Sequence, residues 1–200
     1  MQATAAQYET LAQRMLPIAG GRAWMRDILL VIAGTALITL SAKVNIPFYP
    51  VPMTMQVFAI LVIAMAYGFR LGAATLALYL VEGAMGLPVF AGTPEKGIGL
   101  AYLLGPTGGY LLGFLFAAML VGWLAERGFD RSPLKASIAM LAGNIAIYVP
   151  GLLWLGGLVG WDKPVLAWGL YPFLLGDLFK IVLGAALLPG VWALIGRKNG

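Results

Sequence analysis

Six stretches of this chain, 27–42, 54–69, 71–85, 106–125, 136–155 and 166–195, are almost continuously apolar. A run of about 20 such residues is long enough to cross the hydrocarbon of a bilayer. In that medium each backbone N–H and C=O must be bonded within the protein, and a single run achieves this as a helix. The sequence therefore predicts an all-α polytopic membrane protein with six transmembrane helices. It reads as a single membrane domain over 1–200, with the six-helix bundle over 27–195. Only 10% of the residues are charged, against about 25% in soluble domains. No separate soluble catalytic domain fits in the remainder.

The segments between the runs are unusual. In 1–24, Tyr8, Leu11, Ala12, Met15 and Leu16 fall at helical spacing. This is the pattern of a cytoplasmic, interfacial amphipathic segment, the alternative being a frayed terminus. Between the first two spans, Pro47, Pro50 and Pro52 forbid a helix and favour a stiff extended loop at the membrane rim. The stretch 89–104 is rich in glycine yet too apolar for an ordinary surface loop. Irregular backbone at membrane depth is tolerated where it is buried in protein or lines a cavity. It reads as a loop folded back over a pocket.

Charge sets the orientation. Six spans put both termini on one side, together with Arg14, Arg22, Arg26, Arg70, Arg127, Arg131, Lys135, Arg197 and Lys198. The opposite side receives Lys43, Lys96 and Lys163. This asymmetry predicts cytoplasmic termini. The net charge of +5 is thus explained by cytoplasmic loops, and no basic stripe points to nucleic acid. Both irregular loops then fall on the outer side.

The thirteenth basic residue, Lys180, lies inside the sixth span, three residues after Asp177. That spacing puts the two on one helix face. A charge at mid-membrane costs about 2.5–3.5 kcal/mol on insertion scales, and such residues usually face a protein or water-filled interior. Asp177 offers acceptors and Lys180 donors, so together they suit a small polar ligand. A self-neutralising helix pair is the plainer alternative. Gln56, Asn144, Tyr110 and Tyr148 are further polar or aromatic candidates within the spans, with interhelical bonding or bundle packing as the alternative. The small cluster Ala33, Gly34 and Ala36 suits close helix approach, either to a partner or within the chain.

The chain has no cysteine and no histidine. That removes disulfides, thiolate chemistry and the common zinc sites, so neither a metal nor a cofactor is expected. An intramembrane enzyme is left with few options. There is no GxxxxGK[ST] phosphate loop, so any energised step must borrow its energy from a partner.

Four motifs occur in order: Pro50-Val51-Pro52-Met53-Thr54-Met55-Gln56, Gly83-Ala84-Met85-Gly86-Leu87-Pro88-Val89-Phe90-Ala91-Gly92, Gly105-Pro106-Thr107-Gly108-Gly109-Tyr110 and Gly176-Asp177-Leu178-Phe179-Lys180. Together, over 28–195, the chain resembles the BioY family, the biotin-binding S component of energy-coupling-factor (ECF) transporters. The resemblance implies a subunit that captures biotin from the outside. It implies as partners a transmembrane coupling protein and two ATPase subunits, besides the lipid bilayer. It also assigns the acid and lysine of the last helix to Asp177 and Lys180. Biotin carries a ureido ring, an apolar thioether ring and a carboxylate. Asp177 suits the ureido N–H groups; Lys180 suits either the carboxylate or the ureido oxygen. Phe90, Tyr110 and Tyr148 are candidates to wall the apolar ring, and Gln56 and Asn144 are the amide candidates. Many S components carry an Ala-xxx-Ala docking pattern on the first helix. Here Ala33 is followed four residues on by Leu37, and Ala36 by Leu40, so Ala33, Gly34 and Ala36 stand as docking candidates. The rival readings are an S component for another small vitamin and a ligand-free structural membrane protein.

Overall fold

The computed structural model describes residues 8–17, 23–46 and 49–197. Lys198, Pro47, Phe48 and, within the 1–24 segment, 1–7 and 18–22 with Arg22 lie outside the described residues. The architecture is a helix bundle. In chain order it comprises α1 (Leu11–Met15), α2 (Ala23–Lys43), β1 (Asn45–Ile46), β2 (Met53–Thr54), α3 (Gln56–Ala84), α4 (Gly99–Leu103), α5 (Gly108–Ala125), α6 (Pro133–Val159), α7 (Val165–Gly169) and α8 (Tyr171–Arg197).

Five helical segments are long and apolar enough to cross a membrane: Ala23–Lys43, Gln56–Ala84, Gly108–Ala125, Pro133–Val159 and Val165–Gly196. The sequence pattern predicts six. The difference lies in α3, which is not straight. Gly68 leaves helical geometry at φ 81° and ψ −176°, and positive φ favours glycine. Beyond it the chain doubles back. Gln56 Nε2 donates to Tyr79 Oη at 2.8 Å, although 23 residues of straight helix would separate them by about 34 Å. A Cβ built on Gly72 would sit 3.3 Å from Ala64 Cα. The arms 56–67 and 69–84 therefore run antiparallel, joined at Gly68. Glu126 Oε1 accepts the Phe69 N–H at 2.9 Å, satisfying a donor that the start of the second arm leaves open.

Helix α5 is central, packed between α3 and α6. Its glycines permit backbone contact, which is how helices approach closely in lipid. A Cβ on Gly122 would lie 2.6 Å from the Gly68 carbonyl carbon, and one on Gly113 would lie 2.8 Å from Ile147 Cα. Helix α2 is peripheral and packs chiefly on α3, burying Gly34, Thr35, Ile38 and Ala42. The predicted sixth span is divided at Leu170 into α7 and α8. Pro172 then falls in the first turn of α8, where a missing N–H costs nothing.

At the end of the bundle where the chain begins, the described part of the 1–24 segment forms α1. A Thr10–Gln13 capping box opens it, and Leu11 and Ala12 are buried against the protein. Tyr8 N–H donates to Glu126 O at 2.8 Å. The Arg131 guanidinium lies over the rings of both Tyr8 and Trp192, at 4.7 and 4.2 Å. The segment is thus docked on the bundle through its apolar pair.

The close approach of α5 to the α3 reversal generates a prediction. Gly122→Ala forces backbone apart and is expected to cost about 1–3 kcal/mol, as overpacking does. Gly157→Ala, whose Cβ would meet nothing within 4 Å, serves as the control. Thermal melting in detergent should show a lowered midpoint for the first and none for the second.

Candidate functional site

Residues from five helices and the segments between them enclose one cavity. Helix α8 contributes Phe173, Asp177 and Lys180, α6 contributes Asn144, Ile147 and Tyr148, and α5 contributes Tyr110, Leu111 and Phe114. The start of α3 adds Gln56 and Val57. The β1–β2 hairpin supplies Val51, Pro52 and Thr54, the Gly-rich stretch supplies Ala91 and, on α4, Tyr102, and the turn before α5 supplies Thr107. The space is partly open to solvent and is lined mainly by apolar side chains with a few polar groups among them, as small-molecule sites are.

The polar centre is on α8. Lys180 Nζ donates to Asp177 Oδ1 at 3.0 Å, and the two side chains are only 8% and 7% exposed. The Tyr148 hydroxyl donates to the other carboxylate oxygen, Asp177 Oδ2. Each oxygen of an ionised carboxylate has two lone-pair sites, and an ammonium has three donors. The triad therefore keeps acceptor capacity on Asp177 and donor capacity on Lys180.

On the α6 wall of the cavity, one turn before Tyr148, Asn144 is buried, and neither Oδ1 nor Nδ2 has a partner among the described residues. A buried amide left unmet costs about 1–3 kcal/mol per group. Native proteins rarely accept this without a reason. An amide with donor and acceptor both open, on the wall of a polar cavity, suits a ligand that offers both. Gln56 is spoken for on one side: its Nε2 donates to Tyr79 Oη at 2.8 Å, and Tyr79 donates on to Val89 O at 2.9 Å. The Tyr110 hydroxyl donates to Gly169 O at 2.9 Å, tying α5 to α7. Its ring meets Tyr148 edge-on at 6.3 Å.

Six of the seven residues picked from the sequence line this one cavity: Asp177, Lys180, Gln56, Tyr110, Asn144 and Tyr148. Phe90 does not, which corrects its expected place. It is fully buried, stacked on Tyr102 at 5.1 Å and edge-on to Tyr79 at 5.4 Å. Gly83 makes room for its ring. Tyr102, its stacking partner, takes the wall position instead and donates to Ala91 O at 2.6 Å. Burial raises the Tyr102 phenol above its ordinary pKa, so it stays a donor. Its signal in the sequence was a lone aromatic hydroxyl within the Gly-rich stretch. Thr107, within the Gly105–Tyr110 motif, and Phe173, four residues before Asp177, were also passed over.

Of the three docking candidates, Gly34 faces inward: a Cβ there would sit 2.6 Å from Thr75 Cγ2 of α3. Close packing within the chain uses it, and it is removed from the outer face. Ala33 and Ala36 are exposed on the far side of α2.

The unmet amide makes a prediction about stability. Asn144→Leu loses no hydrogen bond within the protein, so the ligand-free melting midpoint should be unchanged or raised. A fall equivalent to more than about 1 kcal/mol, the worth of a lost bond, would mean that Asn144 is partnered in solution.

Three comparisons bear on what this cavity serves. A family model described as the BioY family matches residues 9–197. The chain is 40% identical over 163 residues to the biotin transporter BioY of Thermotoga maritima, covering 82% of this chain and 94% of that protein. It is 35% identical over 155 residues to a probable biotin transporter BioY of Pyrococcus horikoshii, covering 78% and 89%. Among solved structures, the S-component for biotin from an ECF-type ABC transporter aligns with a TM-score of 0.72 at 26% identity, over 92% of this chain and 96% of that one.

Proposed function

This chain belongs to the BioY family, and from that premise we propose how it works as the biotin-binding S component of an ECF-type vitamin transporter. It is a multi-pass membrane protein and a transporter subunit, not an enzyme. In our reading the cavity built on Asp177, Lys180, Tyr148 and Asn144 is the biotin site. The observation that carries this is the buried acid–base pair with spare bonding capacity, in one cavity with a buried amide that has no partner among the described residues.

The chemistry matches in both directions. The ureido group brings two N–H donors and one C=O acceptor. Asp177 takes the donors, while Lys180 or Asn144 takes the oxygen. The valerate carboxylate is neutralised by Lys180 where that residue does not hold the ureido oxygen. Charge-assisted hydrogen bonds in a dry site are among the strongest polar contacts. The rings of Tyr110, Tyr148 and Tyr102 and the side chains of Val51 and Phe173 give the thioether ring an apolar wall.

The orientation follows the same logic. We infer six crossings, the second and third being the two arms of α3. The reversal at Gly68 and the Gln56–Tyr79 hydrogen bond support this. Both termini then lie in the cytoplasm, as the basic residues favour. The hairpin 45–54 and the Gly-rich loop lie outside, so biotin arrives from the outer face. As an ECF-type S component the chain works with other transporter subunits. The set we propose is one transmembrane coupling protein and two ATPase subunits, with the exposed Ala33 and Ala36 on the docking face of α2.

Two substitutions test the site. Asp177→Asn and Lys180→Met should each weaken biotin binding at least tenfold, or about 1.4 kcal/mol, in equilibrium binding of labelled biotin to purified protein. Wild-type affinity in both folded variants would refute the assignment. A folded wild type that binds another vitamin in place of biotin would refute the ligand.

A further inference from the structure

The final residue of α2 does something that its counting as an outer-loop charge does not explain. Lys43 ends the helix, where a cation is favoured by the negative end of the helix dipole. Its side chain then turns to the Gly-rich loop. Lys43 Nζ lies 2.7 Å from Pro88 O, 3.0 Å from Phe90 O, and 3.1 Å from both the carbonyl and the hydroxyl oxygen of Thr93. All four acceptors are neutral, and among the described residues no carboxylate pairs with this lysine. An ammonium has three donors, so its bonding is saturated by one short segment.

That segment forms part of the cavity wall. Ala91 lines the cavity, and its carbonyl is held by Tyr102. The neighbouring Val89 carbonyl is held by Tyr79. Those two bonds belong to α3 and α4. Lys43 is different because it is the root of the opposite rim. Val44 O accepts the Met55 N–H at 3.0 Å, and Asn45 pairs with Thr54 across β1–β2. The same short hairpin carries Val51 and Pro52 into the cavity. One rim is thus joined to Lys43 by covalent bonds and the other by a cage of carbonyls. Several carbonyl dipoles aimed at one point repel one another once the cation is withdrawn. Without it, the Pro88, Phe90 and Thr93 carbonyls lose their shared donor, and the segment is left to the Tyr79 and Tyr102 bonds and the packing of Phe90.

We propose that Lys43 is a positioning residue for ligand retention. It latches the 88–93 segment to the root of the proline hairpin and so holds the mouth of the site closed over its ligand. Lys43 does not line the cavity; it acts through backbone. Its loss therefore changes how long the ligand stays rather than how it is recognised. This rests on the reading that the cavity holds biotin.

The test is stopped-flow and filter-binding kinetics of labelled biotin on the purified full chain, comparing wild type with Lys43→Met. The dissociation rate should rise at least tenfold while the association rate stays within threefold. In the biotin-bound state, amide hydrogen exchange in 88–97 should quicken while that in α5 stays unchanged. Thr93→Val, which removes one of the four acceptors, should move both readouts the same way by a smaller factor. It also carries the test if Lys43→Met does not fold. Lys43→Arg keeps the cation and should fall between wild type and Lys43→Met. A dissociation rate within twofold of wild type, or unchanged exchange in 88–97, would overturn the latch. Failure of the wild type to bind biotin would instead overturn the reading on which the latch rests.

Discussion

A carboxylate and an ammonium 3.0 Å apart, both more than nine-tenths buried on a membrane-spanning helix, set the terms for the rest of this protein. Either charge alone is expensive in such a place, and even a pair repays its desolvation only when its other bonds are satisfied. Tyr148 supplies one of those bonds from α6. The remainder is left open toward a cavity, on whose wall the Asn144 side chain has no partner among the described residues. A purely structural ion pair would have closed its own network. In the proposed function, biotin completes this one from outside the chain.

The bundle is arranged to leave that opening. Helices α3, α5 and α6 meet through glycine, with backbone against backbone at Gly122 and Gly113. The Gly113 contact holds Ile147 in the cavity wall, and the Gly122 contact braces the α3 reversal. Helix α3 reverses at Gly68, which brings Gln56 at its start and Tyr79 near its end to the same level. The Gln56–Tyr79–Val89 relay then ties the cavity wall to the Gly-rich loop. Lys43 ties the same loop to the hairpin on the far rim. On the proposed reading, recognition and closure fall to different residues: α8 and α6 hold the polar grip, and α2 and the loops hold the roof.

Much of the site was legible in the sequence because lipid makes polar residues conspicuous. Asp177, Lys180, Gln56, Asn144 and Tyr148 stand out within apolar runs, and all line the cavity. The aromatic assignments were harder, since an apolar ring fits a core as readily as a pocket wall. Phe90 and Tyr102 stack on one another, and nothing in their spacing says which of the two faces the ligand. Gly34 was ambiguous for a related reason: small residues mark a contact without naming the partner, and here the partner is Thr75 of the same chain. The α3 reversal was read at nearly the right place from Arg70 but not from Gly68, because a glycine in an apolar run has several uses. Lys43 was invisible as a latch because all but one of its acceptors are backbone carbonyls. They lie 45 to 50 residues away, and carbonyls leave no mark in a sequence.

The measurement that bears most directly on this account is a double-mutant cycle on Asp177 and Lys180, read by both thermal stability and biotin binding. Removing one partner of a buried pair leaves an uncompensated charge and costs about 3–5 kcal/mol. Removing both relieves it. If the pair is one unit that grips the ligand, Asp177→Asn and Lys180→Met will each lower the melting midpoint. The double variant will recover much of that loss, and biotin binding will stay weak in all three. Additive stability losses, or a double variant that binds biotin like the wild type, would contradict it.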